Sequence, residues 1–287
     1  MNPRALRVAA RGLDLAVLEW PAEGTARGDA VLIHGLQDVA ASWDLVAPAL
    51  ARTGLRVIAP DLRGFGDSDR VHPSGYYYFP DYAFDLAEIA DALCGDGPFA
   101  LVGHSMGGSV AVMYAGLYPA RVRALALLEG LGPPAFGEEG VVDRERSWVD
   151  AVRRIRSRPE RSMTIDDVVT RLAMGHPGVP EELLLRRAAQ LARPTEDGRF
   201  VWAFDPLHRT PSPIPFSIER WREHARRITA RTLCVGGGPT GFHPEDEADR
   251  VATIAGARAV EIPDAGHMMH WTRPGEVARL LVDHLGG

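Results

Sequence analysis

Four short runs in the first half of this chain are apolar at nearly every position, and no other feature constrains its folding as tightly. They are Ala30-Val31-Leu32-Ile33, Leu55 to Pro60, Phe99-Ala100-Leu101-Val102 and Ala124 to Leu128. Successive side chains of a strand point to opposite faces, so a run without alternation must be covered on both sides. Between the runs lie stretches with helical spacing: Trp43 to Arg52, with Ser42 placed as an N-cap, then Asp81 to Leu93 and Gly107 to Tyr118. Doubly buried strands alternating with helices predict an α/β fold with a mostly parallel, doubly wound sheet. Ahead of them, Leu13 to Trp20 alternates apolar and polar positions as a half-exposed antiparallel strand does.

The pattern breaks at Gly132-Pro133-Pro134. From there the chain is arginine-rich and studded with proline, with helical stretches at Val142 to Ser157, Thr164 to Met174 and Glu181 to Ala192, then an extended piece at Phe200 to Phe204. It ends in Pro211-Ser212-Pro213-Ile214-Pro215, after which the strand pattern resumes at Thr232 to Val235 and again at Ala257 to Ile262 and a last helix spans Pro274 to Leu285. The expected organisation is therefore a core in two parts, residues 1–132 and 217–287, with a helical cap or lid at 133–216 inserted between them.

A formal net charge of −6 disfavours a nucleic-acid partner. The local arginine runs, Arg153 to Arg158 and Arg186-Arg187, are interleaved with acids and apolar residues and read as solvated helix faces. Cys94 and Cys234 lie far apart in apolar surroundings and read as small buried hydrophobes, with no spacing suited to a metal. No apolar stretch has the length of a signal peptide or a membrane span, which makes a cytoplasmic location the default expectation. The expected partner is a small-molecule substrate, with no cofactor, metal or membrane. Oligomeric state has no signature in the sequence.

Chemistry concentrates at Gly103-His104-Ser105-Met106-Gly107-Gly108, directly after one apolar run and before a helix. This is a G-x-S-x-G nucleophile elbow in strand–turn–helix context. Ser105 sits in a strained turn, and side chains at Gly103 or Gly107 would strike neighbouring backbone. The following helix aims its free N–H groups and positive dipole end at an oxyanion developing beside the serine.

With these residues the chain resembles the α/β-hydrolase superfamily over nearly its whole length. Ile33-His34-Gly35-Leu36-Gln37 is similar to that family's oxyanion segment, and the resemblance implies that the N–H groups of Leu36 and Met106 form the oxyanion hole. Asp61-Leu62-Arg63-Gly64-Phe65-Gly66-Asp67-Ser68 resembles the family's D-x-R-G-x-G-x-S loop, whose Asp61 and Arg63 brace the core. By the same resemblance the catalytic base is a histidine after the last strand. Asp264-Ala265-Gly266-His267 favours His267, with His270 bordering the pocket.

The acid departs from the family's usual pattern. The loop after Thr232 to Val235 reads Gly236-Gly237-Gly238-Pro239-Thr240-Gly241-Phe242, with no carboxylate until Glu245 and Asp246. Some branches of the family place the acid one strand earlier, where this chain has Glu129. A glutamate closing a buried run needs a partner for its charge, and His267 would supply one. Glu245 and Asp246 stay open as alternatives.

The implied activity is a carboxylesterase-like serine hydrolase cleaving an ester, thioester or lactone of a small to medium apolar substrate through an acyl-enzyme. Serine at the elbow sets it apart from relatives that use aspartate there, the epoxide hydrolases and haloalkane dehalogenases. A carbon–carbon bond hydrolase, a lyase or cyclase, and a non-catalytic ligand-binding relative are the alternatives. Phe136, Trp148, Trp202, Phe204 and Phe216 are the aromatic candidates for the substrate pocket.

Overall fold

The apolar runs lie side by side in one sheet. The computed structural model of the chain describes residues 2–134 and 140–286. In chain order its strands are β1 (Arg4–Ala10), β2 (Leu13–Trp20), β3 (Gly28–Ile33), β4 (Leu55–Pro60), β5 (Phe99–His104), β6 (Val122–Leu128), β7 (Ala192–Pro194), β8 (Phe200–Trp202), β9 (Arg231–Gly236) and β10 (Arg258–Glu261). Its helices are α1 (Ala47–Ala51), α2 (Phe79–Cys94), α3 (Met106–Leu117), α4 (Val141–Arg156), α5 (Ile165–Gly175), α6 (Glu181–Leu191), α7 (Ile218–Ala225), α8 (Glu247–Thr253), α9 (Met269–Thr272) and α10 (Pro274–Leu285).

Eight strands share the main sheet in the order β1-β2-β4-β3-β5-β6-β9-β10. Pairing is parallel from β4 through to β10, and only β2 is antiparallel to its neighbours, as the alternation of Leu13 to Trp20 predicted. The unbroken apolar character of the runs has its explanation here. Val31, Ile33, Leu101, Leu125 and Leu127 enter one core with α2, α3 and α7, whereas Ala30, Leu32, Ala100, Val102, Ala124 and Ala126 enter a second with α1 and α10. Truncating one such residue, Leu101→Ala for instance, costs about 2–5 kcal/mol through lost transfer energy and the cavity left behind.

Between β6 and β9 lie α4, α5, α6, the β7–β8 hairpin and α7. α5 begins with a capping box, in which the Thr164 hydroxyl receives the Asp167 N–H and the Asp167 carboxylate receives the Thr164 N–H. Val168, Leu172, Leu184, Ala188 and Leu191 pack on Val39, Met268 and Trp271, residues that follow β3 and β10. Arg187 departs from expectation. Arg153, Arg154, Arg156 and Arg158 are exposed, but Arg187 is fully buried, donating to Asp44 at 2.9 Å with its guanidinium over Trp271. Asp44 supplies the countercharge that makes burial tolerable.

Where the chain leaves the core after β6, a second buried arginine gathers the backbone. Arg250 Nη1 donates to the carbonyls of Leu131, Gly132 and Pro133, each at 2.9 Å, while Nη2 pairs with Asp246 at 2.7 Å. Its guanidinium also faces the Phe216 ring, on the segment by which the chain returns. Ser42 is not an N-cap. It lies within a 3₁₀ turn, Ala40–Leu45, and its hydroxyl donates toward Asp38 at 2.9 Å. Cys94 and Cys234 are free, Cys234 buried and Cys94 half-buried. Among the described residues no helix is long and apolar enough to cross a membrane.

Candidate active site

The parallel register brings the ends of β3, β5, β6 and β9 to one edge: Ile33 opposes Gly103, His104 opposes Leu128, and Leu128 opposes Val235. Ligand sites of open α/β sheets form beyond the carboxyl ends of the strands. Four of the five described non-glycine residues with positive φ lie beyond strand ends at this edge: Gln37, Ser105, Glu129 and Asp264. Such strain collects at functional sites.

Ser105, at φ 51° and ψ −118°, joins β5 to α3 and donates its N–H to the Leu128 carbonyl at 3.0 Å. Glycines make the turn possible. A Cβ on Gly103 would stand 2.4 Å from the Gly107 carbonyl oxygen, and one on Gly107 2.5 Å from the Ile33 and His34 carbonyl oxygens. A Cβ on Gly35 would stand 2.8 Å from His104 Nδ1 and 3.2 Å from Ser105 Cβ. The loop after β3 therefore lies directly against the serine, bringing Leu36 to the same cavity as Ser105 and Met106. Met106 opens α3, so its N–H has no intrahelical acceptor. That loop is pinned in turn by Asp61, whose carboxylate receives the N–H groups of Ala40 at 2.7 Å and Asp67 at 2.9 Å.

Ser105, His267 and Glu129 lie in one chain of hydrogen bonds. His267 Nε2 is 2.9 Å from Ser105 Oγ, and His267 Nδ1 is 2.7 Å from Glu129 Oε2. An acceptor-only carboxylate at Nδ1 fixes the proton on that nitrogen and leaves Nε2 free to take the serine proton. The Glu129 side chain is fully buried and also receives the N–H of Gly237 at 2.7 Å and of Phe242 at 2.6 Å. The carboxylate-free loop after β9 thus wraps around Glu129. A Cβ on Gly241 would lie 2.0 Å from Glu129 Oε1, and one on Gly237 2.7 Å from it. The other two candidate acids lie elsewhere. Asp246 pairs with Arg250 and Arg222, and Glu245 is exposed.

His270 does not border the cavity. It is fully buried beneath it, with Nε2 3.0 Å from Asp38 Oδ2. Burial lowers the His270 pKa against the pull of Asp38. Burial also works to raise Asp38, but its hydrogen bond to His270 and the surrounding histidines together outweigh that and hold the carboxyl at about 2. His104, driven well below its ordinary value by burial, donates from Nε2 to the His267 carbonyl at 2.8 Å and so braces the loop that carries His267.

The cavity in front of Ser105 has a volume of about 570 Å³, in the range of small-molecule sites. Of the aromatic candidates, Phe216 lines it. Trp148 packs edge-on against Tyr76, Trp202 stacks on Phe204 at 5.7 Å, and none of Trp148, Trp202 and Phe204 reaches the cavity. These aromatic rings find partners within the inserted segment and the loop before α2. Phe136 lies outside the described residues. Tyr76 to Pro80, Tyr82, Leu207 and His208 line the cavity instead. The unbroken Tyr76-Tyr77-Tyr78-Phe79 run was their visible signal. His208 sits 4.0 Å from both Phe65 and Tyr77, and burial lowers its pKa to about 3.

Comparison with known proteins agrees with this fold. The family model described as alpha/beta hydrolase fold matches residues 31–274. The chain is 27% identical over 277 residues to a serine hydrolase-like protein of Danio rerio, covering 91% of this chain and 83% of that protein. It is 28% identical over 284 residues to lipase LipV of Mycobacterium tuberculosis, covering 96% and 98% respectively. A thioesterase domain from the curacin biosynthetic pathway shares the fold, with a TM-score of 0.84 at 23% identity over 98% of this chain and all of that one.

Proposed function

Since the chain belongs to the alpha/beta hydrolase fold family, we propose that it is a carboxylesterase-like serine hydrolase, cleaving an ester, thioester or lactone of a small to medium apolar substrate through an acyl-enzyme. The observation that carries this reading is the continuous link from Ser105 Oγ through His267 to Glu129, at 2.9 and 2.7 Å. His267 Nε2 accepts the Ser105 proton as Oγ attacks the substrate carbonyl. The oxygen that gains charge lies between the N–H groups of Leu36 and Met106, donors of a kind worth about 10²–10³ in rate each. His267 returns its proton to the leaving group, then takes one from the attacking water and passes it to Ser105 Oγ as the acid departs. Glu129 keeps the ring in the working tautomer and offsets its transient charge.

Intact-mass analysis with a fluorophosphonate tests the reading. The expected result is one adduct per chain on wild type and none on Ser105→Ala, with Glu129→Gln and His267→Ala labelling far more slowly. An unlabelled wild type, or an adduct that survives Ser105→Ala, overturns it.

A further inference from the structure

Three segments that the proposed chemistry uses meet beneath the cavity. Leu36 lies on the loop after β3, Ser105 at the elbow, and His267 on the loop after β10. Each segment also carries one buried polar side chain, Asp38, His104 or His270, none more than 1% exposed and none lining the cavity. Asp38 is anchored first within its own loop. Its N–H donates to the Gly35 carbonyl at 3.3 Å, and its carboxylate receives the Val39 N–H at Oδ1 and the Ser42 hydroxyl at Oδ2, both at 2.9 Å. Oδ2 also meets His270 Nε2 at 3.0 Å. A carboxylate only accepts, so the imidazole is the donor. The His270 ring packs on Trp43 with centroids 4.7 Å apart and on His104 at 4.4 Å, and His104 in turn holds the His267 carbonyl. Among the described residues no other hydrogen bond joins residues 34–38 to residues 264–272. Buried charged pairs add little net stability over an apolar pair of like volume. What this one adds is registry between two loops.

The geometry points to Asp38 and His270 as positioning residues, whose bond sets the distance between the oxyanion donor of Leu36 and the imidazole of His267. The inference rests on the hydrolase reading and extends it: one buried link holds the base and the oxyanion hole to each other. Neither residue lines the cavity, so severing the link shifts the reacting groups relative to each other without changing the walls that bind the ester. A misplacement of about 1 Å costs about 100-fold in rate.

Three variants test it with 4-nitrophenyl butyrate, each checked for folding by urea titration. His270→Phe removes the bond while leaving Asp38 its Val39 and Ser42 donors. Asp38→Leu/His270→Phe, which replaces the pair with apolar side chains, is the second severed form should the first not fold. Asp38→Asn is the conservative change. Its oxygen keeps the Val39 N–H, and its NH₂ donates to His270 Nε2 with the ring in the other tautomer. Ser42 accommodates the reversal, because its hydroxyl also reaches the Val39 carbonyl at 2.9 Å. In a folded severed form kcat is expected to fall by about 100-fold with KM within about twofold of wild type, and the fluorophosphonate labelling rate of Ser105 to fall in parallel. Asp38→Asn is expected to keep kcat within about fivefold. A kcat loss under about tenfold in a folded severed form, a loss carried by KM instead, or an Asp38→Asn as slow as the severed forms overturns the inference. The hydrolase reading stands in each of those cases, on wild-type turnover and its adduct. A wild type that neither cleaves the ester nor labels overturns both.

Discussion

Glu129→Gln is the substitution that weighs the proposed triad most directly. The native carboxylate faces only donors: Gly237 N–H at Oε1, and Phe242 N–H with His267 Nδ1 at Oε2. A carboxamide offers one oxygen and one NH₂ group, so it cannot satisfy all three. With its oxygen toward Phe242 and His267, its NH₂ meets the Gly237 N–H. A buried donor left unpaired costs about 1–3 kcal/mol of stability. With the oxygen toward Gly237, the NH₂ points at His267 and favours the tautomer that carries its proton on Nε2. That nitrogen then donates to Ser105 and no longer accepts from it. Loss of the working tautomer in a triad is worth about 10⁴ in kcat, or about 5.5 kcal/mol of barrier. Steady-state hydrolysis of 4-nitrophenyl butyrate should show kcat down by about 10³–10⁴, on the order of a lost triad acid, with KM little changed. Urea titration should show the stability loss in the same protein. If Glu129→Gln keeps kcat within about tenfold of wild type while Glu245→Gln loses it, Glu129 is not the acid.

The wrapping loop makes its own prediction: Gly241→Ala, whose Cβ would lie 2.0 Å from Glu129 Oε1, displaces the carboxylate and lowers kcat by about 100-fold, and a variant with wild-type kcat would show that the loop does not position the acid. Acid should weaken the fold through His208, whose folded pKa of about 3 lies below its ordinary value of 6.5. Its contribution is fully present above about pH 6.5 and falls by about 1.4 kcal/mol per unit as pH drops toward 3. Urea midpoints at pH 7.5 and 5 should therefore differ less in His208→Phe than in wild type, and equal differences would refute this assignment. Arg250→Met strips a donor from the Leu131, Gly132 and Pro133 carbonyls and should cost about 3 kcal/mol in a thermal or urea unfolding curve, whereas a loss under about 0.5 kcal/mol, the usual range of a surface change, would show that this clamp contributes little.

Strand positions were legible because each doubly buried run satisfies two cores at once, as Leu101 and Val102 do on opposite faces of β5. The elbow was legible for a similar reason: Gly103 and Gly107 answer contacts within a few residues or with the neighbouring strand. Glu129 was reached through an absence, the loop after β9 having no carboxylate of its own near its start. Other features depend on partners far along the chain. Arg187 reads as a surface residue until Asp44, 143 residues away, meets it. Trp148 and Trp202 read as pocket residues until their rings turn toward Tyr76 and Phe204. His270 resembles a pocket residue by its place after His267, yet its ring turns down to Asp38. Helical periodicity identifies the buried side of an element but not which neighbour covers it.

The loop from Gly236 to Phe242 approaches Glu129 only with main-chain N–H groups and with glycines whose missing side chains leave room for the carboxylate. Peptide groups are the same whatever residue bears them. Pro239 and Thr240, at the middle of the loop, are thus free to drift in sequence as long as its path and the two close-approach glycines persist. A search for relatives by matching side chains will find little to hold on to here, whereas superposing backbones will recover the acid-binding cradle at once. For an engineer the loop offers a place to vary surface chemistry beside the proposed triad without touching its three side chains.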